Sequence, residues 1–319
     1  MGEMTKLDSA ALDRAVRARQ LPAAVRAALA DPLARISAVT VARDGGRRLD
    51  CYAVAGESGL AALTPGDNGD SAVSFPIEAK AIEALLGDTL GLDQPLAELG
   101  HSRELDIAAL WALAALVDAH RQRQLESLLA RTASPPPGVD DDLVLLRALD
   151  GATLADPRWL SSLLNGFMGP ADATEARLRS GLEALEHGGL IGRDANGLWA
   201  PQSGFIAAFA NLEVPMAGAQ LVIERRSAGG VDRVVLAFVR TLAALWILQS
   251  RGPRVLLRSA GGADARAIIH DAIEIAIAPP SVPQPGAPMP PPAKRFCHHC
   301  GTPAAASDRF CGHCGTRLV

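Results

Sequence analysis

Four cysteines near the end of the chain are the residues with the clearest chemistry. Cys297 and Cys300 form one Cys-x-x-Cys pair, and Cys311 and Cys314 form a second. Each pair predicts a tight turn that points two thiolates at one ion, and two such turns complete the tetrahedral sulfur shell that Zn²⁺ accepts. Because the protein supplies all four ligands, no coordination position is left for a substrate. The sequence therefore predicts a structural zinc site.

Glycines and phenylalanines flank both cysteine pairs. Gly301 and Gly315 follow the pairs and permit the positive φ that aims backbone N–H groups at sulfur. Phe296 and Phe310 precede the pairs, and we expect them to pack on each other. A segment of about 25 residues cannot fold on so small a core, so metal binding must supply most of its folding free energy.

Other polar side chains of the tail leave two alternatives open. His298, His299 and His313 could each replace a cysteine as a zinc ligand, although solvent-facing histidines are the favoured interpretation. Basic residues could also bind nucleic acid. Their charge is offset by Asp308, by the terminal carboxylate and by the double negative charge of a Zn(Cys)₄ centre. Binding driven by phosphate contacts is therefore not favoured.

The segment Lys294–Val319 resembles the short zinc-ribbon family that ends many bacterial proteins. Both cysteine pairs, their glycines and the preceding phenylalanines carry this resemblance. It implies a structural zinc ion and a docking module, and it names no partner. A proline-rich linker, 279–293, precedes the segment and should run as polyproline II for about 45 Å. The ribbon is therefore expected to be a tethered, independent module.

Composition restricts the class of protein. The net charge is −4 and hydrophobic residues make up 49% of the sequence, which fits a globular protein with a core and not a basic nucleic-acid binder. The longest apolar stretches, Ile107–Val117 and Val234–Leu248, fall short of the about 18 residues of a membrane span. Four of the five cysteines are confined to the tail, unlike those of a secreted disulfide scaffold. We therefore expect a cytoplasmic protein.

Two similar segments predict an α+β fold with an internal duplication. Each reads as strand, glycine-rich turn, strand, strand and helix, and the letters VARDGG and GLAAL of the first half are similar to ERRSAGG and TLAAL of the second. The predicted elements of the first half, residues 1–132, are a helix Ser9–Leu29, strands Ile36–Ala42, Leu49–Ala55, Leu60–Leu63 and Ser71–Ile77, and helices Glu78–Leu86 and Leu105–Leu129. Those of the second half, residues 204–278, are strands Ala219–Ile223, Val234–Val239 (extending towards Leu248) and Arg254–Leu257, and a helix Asp264–Ala276.

The segment between the halves, residues 143–203, predicts a winged-helix-like arrangement. Helices Leu143–Leu149, Pro157–Phe167 and Asp172–His187 precede a small hairpin with an Asn-Gly turn. The third helix has two arginines against four acidic residues, so it suits the reading of DNA poorly. Packing or protein docking is the favoured role of this segment.

No familiar catalytic motif is present. The sequence lacks Gly-x-Ser-x-Gly, the P-loop pattern and His-Glu-x-x-His. Gly261-Gly262, between a strand and a helix, could hold phosphate but lacks a lysine, and a plain turn is favoured. Cys51 falls in a predicted strand and is expected to be buried and apolar. We therefore expect a protein that is not an enzyme.

These observations favour a zinc-binding adaptor that contacts protein partners through its α/β body and its tethered ribbon. A secretion-type chaperone is the first alternative, because the duplicated plan, with Val255–Ser259 leading into an alanine-rich helix, resembles the ESX secretion-associated chaperones of actinobacteria. Those chaperones generally lack a zinc tail. The second alternative is a DNA-binding regulator that uses the central segment. No segment of the sequence identifies a particular partner, and a homo-oligomer is compatible with the sequence.

Overall fold

The computed structural model describes residues 25, 29, 31–53, 60–65, 71–132, 138–153, 156–168, 174–227, 230–278, 295–296 and 303–304. The protein divides into two compact units, Met1–Ala278 and Pro279–Val319, here called the body and the tail. Both predicted halves and the central segment lie in the body. Most of the predicted helix Ser9–Leu29 lies outside the described residues. Within that range only Val25 and Leu29 are described, and both are helical.

The described secondary structure comprises thirteen strands and seven helices. The strands are β1 (Ala34–Ala42), β2 (Gly45–Ala53), β3 (Leu60–Pro65), β4 (Ser71–Ile77), β5 (Ser102–Asp106), β6 (Ile191–Arg193), β7 (Trp199–Pro201), β8 (Pro215–Ser227), β9 (Gly230–Thr241), β10 (Leu245–Arg251), β11 (Arg254–Ala260), β12 (Arg295–Phe296) and β13 (Pro303–Ala304). The helices are α1 (Ala79–Leu90), α2 (Ile107–Leu129), α3 (Asp141–Thr153), α4 (Leu160–Met168), α5 (Glu175–His187), α6 (Ile206–Leu212) and α7 (Gly262–Ile277).

One antiparallel sheet of nine strands forms the centre of the body. Its order is β4-β3-β2-β1-β8-β9-β10-β11-β5. Alternation along β1 shows why the sequence forms this sheet, since Ala34, Ile36 and Ala38 are buried on one face while Arg35 points to the other. Helices α1 and α7 cover the first face, and α2, α4 and α6 pack over β8–β11 on the second.

The body repeats one plan twice, which confirms the duplicated α+β architecture. Strands β1–β4 followed by α1 correspond to β8–β11 followed by α7, and β1 pairs with β8 at the centre of the sheet. The first hairpin of each half places a glycine at the same point after its turn, Gly45 with φ +127° and Gly230 with φ +131°. Both values are conformations that favour glycine. The first half has the four strands predicted for it, whereas the second half has four strands where three were predicted.

Several boundaries differ from the prediction for physical reasons. The predicted strand running from Val234 towards Leu248 is two strands, because the backbone reverses at Leu242-Ala243 without a glycine or proline to mark the turn. The N-terminal part of the predicted helix Leu105–Leu129 is β5, which pairs with β11. The helix predicted from Pro157 begins at Leu160, so Pro157 precedes it. Helix α6 was not predicted.

The central segment contains the three predicted helices, α3, α4 and α5, and the hairpin of β6 and β7. Helix α5 begins at its N-cap Thr174, whose hydroxyl accepts from the N–H of Arg177. Gly181 of α5 packs so closely on α2 that a Cβ there would lie 2.8 Å from Ala112 Cβ. The helices of this segment therefore share one core with α2, and the winged-helix assignment stays a prediction.

Candidate functional site

The predicted zinc site lies in the tail, where β12 and β13 are described. Arg295 pairs with Ala304 and Phe296 with Pro303, so these two short strands flank the first cysteine pair in the sequence. Cys297, Cys300, Cys311 and Cys314 themselves lie outside the described residues, as do the three neighbouring histidines. Four thiolates in two Cys-x-x-Cys pairs are a donor set that suits Zn²⁺.

The body offers no second metal centre among its described residues. No group of three or more histidine, cysteine, aspartate or glutamate side chains is placed to hold an ion there. Cys51 is fully buried in β2, and burial raises the pKa of its thiol to about 12. Its thiolate is therefore scarce at neutral pH, and the residue is an unreactive member of the core.

A polar cluster of the body joins α2 to the end of α6. His120 Nδ1 contacts Glu213 Oε1, Gln124 Nε2 donates to Glu213 Oε2 at 3.2 Å, and the His120 ring lies edge-on to Phe209. Among the described residues, the side chains in contact with this pair include no serine, threonine or cysteine that histidine could activate as a nucleophile. Its evident effect is to fix α6 on α2.

A buried carboxylate joins α2 to α4. Asp118 is 1% exposed, and it accepts from the N–H groups of Leu160 and Ser161 at 2.9 Å each and from the Ser161 hydroxyl at 2.5 Å. These donors belong to the first turn of α4, so Asp118 caps a helix that lies far from it in sequence. Burial, partly offset by these hydrogen bonds, raises the pKa of Asp118 from 3.8 to about 6.

The glycine pair considered for phosphate binding is a turn. Gly261 is the N-cap of α7, and a Cβ at Gly261 would collide with the Glu98 carboxylate. A carboxylate of the protein thus already lies at this helix N-terminus, where a phosphate would have to bind. His270, on the exposed side of α7, contacts Glu83 at 2.9 Å, and this carboxylate raises the pKa of His270.

Arginines of the central segment are engaged in ion pairs. Arg179 donates to Glu175 at 2.8 Å along α5, and Arg193 of the hairpin donates to Asp141 at 3.1 Å. The Arg193 guanidinium also stacks on Trp199, 4.0 Å from the ring centroid. Acidic partners therefore offset much of the positive charge that a DNA backbone would attract.

The end of α2 presents an apolar surface to solvent. Burial along this helix is continuous only from Ala112 to Ala119, whereas Leu125, Leu128 and Leu129 are 42%, 74% and 85% exposed. We call these three leucines the apolar helix end. The sequence shows them as a continuation of the helical leucine pattern, and periodicity alone does not reveal where the covering core stops. Adjacent exposed leucines of this kind are typical of a binding surface.

Comparison with known proteins identifies the tail. Residues 296–318 match the family model of the zinc-ribbon domain, which agrees with the resemblance seen in the sequence and with zinc binding. No curated protein matches the sequence. None of the described helices is long and apolar enough to cross a membrane.

The chain is weakly similar to a solved structure. This is the Mycobacterium tuberculosis type VII secretion system chaperone EspG5, determined in complex with the PE25-PPE41 dimer. The two proteins are 13% identical, the alignment covers 80% of this one and 78% of that one, and the TM-score is 0.36. A similarity of this size carries no functional information.

Proposed function

We propose that this protein is a non-enzymatic, zinc-binding adaptor whose body and tethered zinc ribbon each contact a protein partner. The observation that carries the proposal for the body is the apolar helix end. Covering an exposed leucine typically contributes about 1.5–3 kcal/mol, so Leu128 and Leu129 together could anchor a partner. The division into a body and a zinc-ribbon tail supports two separate contacts.

The non-enzymatic part of the proposal is supported by the polar groups of the body. The described histidines and carboxylates lie in pairs that join helices, and they do not converge with a nucleophile on one reacting position. Catalysis of acyl or phosphoryl transfer needs such convergence. A cytoplasmic location remains an expectation from the cysteine distribution.

Affinity purification with four versions of the protein tests the proposal. These are the full-length protein, a version ending at Ala278, the double variant Leu128→Glu with Leu129→Glu, and the control Ile275→Glu, which changes an exposed apolar residue of α7. We expect the double variant to lose partners that the control retains, and the shortened version to lose a different partner. Equal recovery by all four versions would refute the adaptor.

The same purification tests the chaperone alternative, and a separate DNA-binding assay tests the regulator. A secretion-type chaperone is expected to retain its one client in the version that ends at Ala278, because the client would bind the body alone. A DNA-binding regulator is expected to bind a duplex in fluorescence anisotropy at low salt and to weaken steeply as salt is added. The ion pairs of Arg179 and Arg193 favour the adaptor over this second alternative.

A further inference from the structure

An open cleft of about 630 Å³ lies at one end of the sheet. The β1–β2 turn, the C-terminal end of α1, the start of β8 and the end of β9 meet around it. Residues that matter for its chemistry are Arg43, Asp44, Gln94, Met216, Arg240 and Leu242. The volume falls within the about 300–1,000 Å³ of pockets that bind small ligands or short peptide segments.

Arg240 gives the cleft a buried positive charge. It is only 8% exposed, and its guanidinium donates to the carbonyls of Thr241 and Ala244 and, at 3.4 Å, to Gln94 Oε1. All three acceptors are neutral, and no carboxylate of the described residues forms an ion pair with it. Buried charges are ordinarily paired, so this arginine lacks the counter-charge that its position demands.

Apolar side chains stand beside this arginine. Met216 is 53% exposed and Leu242 is 68% exposed, and both line the cleft. The combination of one buried cation with exposed apolar side chains suits a ligand that has an anionic group next to an apolar group. If Arg240 served only to bond the neutral acceptors of its own chain, the exposed apolar side chains beside it would have no role in that function.

Asp44 and Asp88 also line the cleft, so acidic and basic side chains compete to set the charge of the ligand that the cleft prefers. Both aspartates are exposed, and solvent weakens the interactions of exposed charges. Arg43 is exposed as well and offsets one of them, and the less exposed Arg240 supplies the stronger attraction for a single negative charge. The two aspartates would still repel a ligand with several negative charges. A single carboxylate therefore fits better than a phosphate.

The duplication of the fold offers a comparison for this cleft, because each half has an equivalent corner. The equivalent corner of the second half lies at the C-terminal end of α7, where Arg225 donates to the carbonyls of Ile275 and, at 2.9 Å, Ala278. Arg225 thus fills part of that corner by capping a helix of its own half. Thr40, at the matching position of the first half, has no such reach, and the corresponding corner stays open.

We propose that the cleft binds a peptide carboxylate that lies next to an apolar side group, with Arg240 holding the carboxylate and Met216 and Leu242 contacting the apolar group. This inference deepens the proposed function, on which it rests, by naming the chemistry of a segment that the body receives. The carboxylate can come from the C-terminus of a peptide or from an internal acidic residue. Both sources present the same group to Arg240.

Small probes test the proposal on the full-length protein. N-acetyl-leucine represents a C-terminal carboxylate, acetyl-Leu-Glu-amide represents an internal one, and N-acetyl-leucinamide lacks the charge. We expect saturable NMR shifts at the Leu242 amide and the Gln94 side-chain amide with one or both acids. The amide probe should bind about tenfold more weakly or not at all, because it loses a charge-assisted hydrogen bond.

Two variants and one control complete the test. Arg240→Gln removes the charge, and Leu242→Glu changes an exposed residue that the core does not need, so it covers the case in which Arg240→Gln fails to fold. Arg254→Gln, at a surface ion pair with Glu104, should bind like the wild type. Equal affinity for acid and amide probes, unchanged affinity in Leu242→Glu, or no binding of either acid overturns the proposal. If the acids fail to bind while the double leucine variant still loses its partners, the adaptor proposal stands and only this inference is wrong.

Discussion

Replacement of Asp118 by asparagine should remove a pH dependence of stability that the wild-type body has. Asp118 is a buried carboxylate at the first turn of α4, and burial raises its pKa from 3.8 to about 6. The folded protein therefore binds more protons than the unfolded protein between these two values. Unfolding in this range must therefore release a proton. The contribution of Asp118 to the free energy of unfolding is fully present below about pH 4 and is lost as the pH rises through about 6.

The size of the effect follows from the same two values. The complete difference between the folded and unfolded pKa values corresponds to at most about 3 kcal/mol in the free energy of unfolding. About 1.4 kcal/mol of this contribution is lost between about pH 5 and about pH 7.5. Asparagine has nearly the same shape and does not titrate. Its amide can accept from Leu160 N–H but opposes Ser161 N–H with a donor, which adds a pH-independent cost of about 1–3 kcal/mol.

Urea unfolding of the full-length protein, followed by tryptophan fluorescence across this pH range, measures the difference. All four tryptophans lie in the body, so the zinc ribbon does not contribute to the signal. The quantity of interest is the free energy of unfolding of the wild type minus that of Asp118→Asn. It should fall by about 1.4 kcal/mol over the interval. Asp150→Asn, which removes a surface carboxylate of α3, should keep the wild-type dependence.

Two results would refute this reasoning. Parallel stability curves for the wild type and Asp118→Asn would mean that Asp118 does not titrate in the interval. A difference that rises with pH would mean that the three hydrogen bonds from Leu160 and Ser161 outweigh burial and hold the pKa of Asp118 below its usual value.

Three further changes have definite expected outcomes. Gly181→Val should lower the free energy of unfolding by about 1–3 kcal/mol in urea, because the added isopropyl group collides with α2. Gly166→Ala in α4, where no atom lies within 4 Å, should instead raise it by about 0.5–1 kcal/mol, because alanine favours the helix. Cys300→Ser should abolish the zinc content measured by atomic absorption and leave the thermal unfolding of the body unchanged, because the ribbon is a separate unit. After zinc is removed, a thiol reagent should modify four cysteines quickly and Cys51 only after the body unfolds in denaturant, since Cys51 is fully buried.

The elements that the sequence predicts well are those with strong local patterns. Alternation identifies β1, and the glycines after the hairpin turns identify the repeated plan. The elements it misses depend on distant contacts. Strand β5 has one buried residue, Leu105, and exists because it pairs with β11. The reversal between β9 and β10 is held by Thr241, whose hydroxyl contacts Asn211 and the Ala244 carbonyl.

The candidate sites also divide into those that the local sequence predicts and those that depend on distant contacts. The zinc ligands are local in sequence, because a Cys-x-x-Cys pair supplies both residue type and spacing. The cleft around Arg240 is not local, since its lining comes from the β1–β2 turn, α1, β8 and β9. Arg240 reads in the sequence as an interruption of an apolar run, and its burial without an acidic partner is a fact of tertiary structure.

Helix α2 explains why the apolar helix end can serve as a binding surface. Its middle is fixed by Asp118, which holds α4, and by close packing of Gly181 from α5. The exposed leucines therefore continue a helix whose earlier turns are buried on several sides. Leucines on such a rigid element lose less conformational entropy on binding than leucines on a loop, so more of their apolar contact remains as affinity. The same core residues that stabilise the body thus hold its exposed end in one conformation, as the proposed adaptor requires.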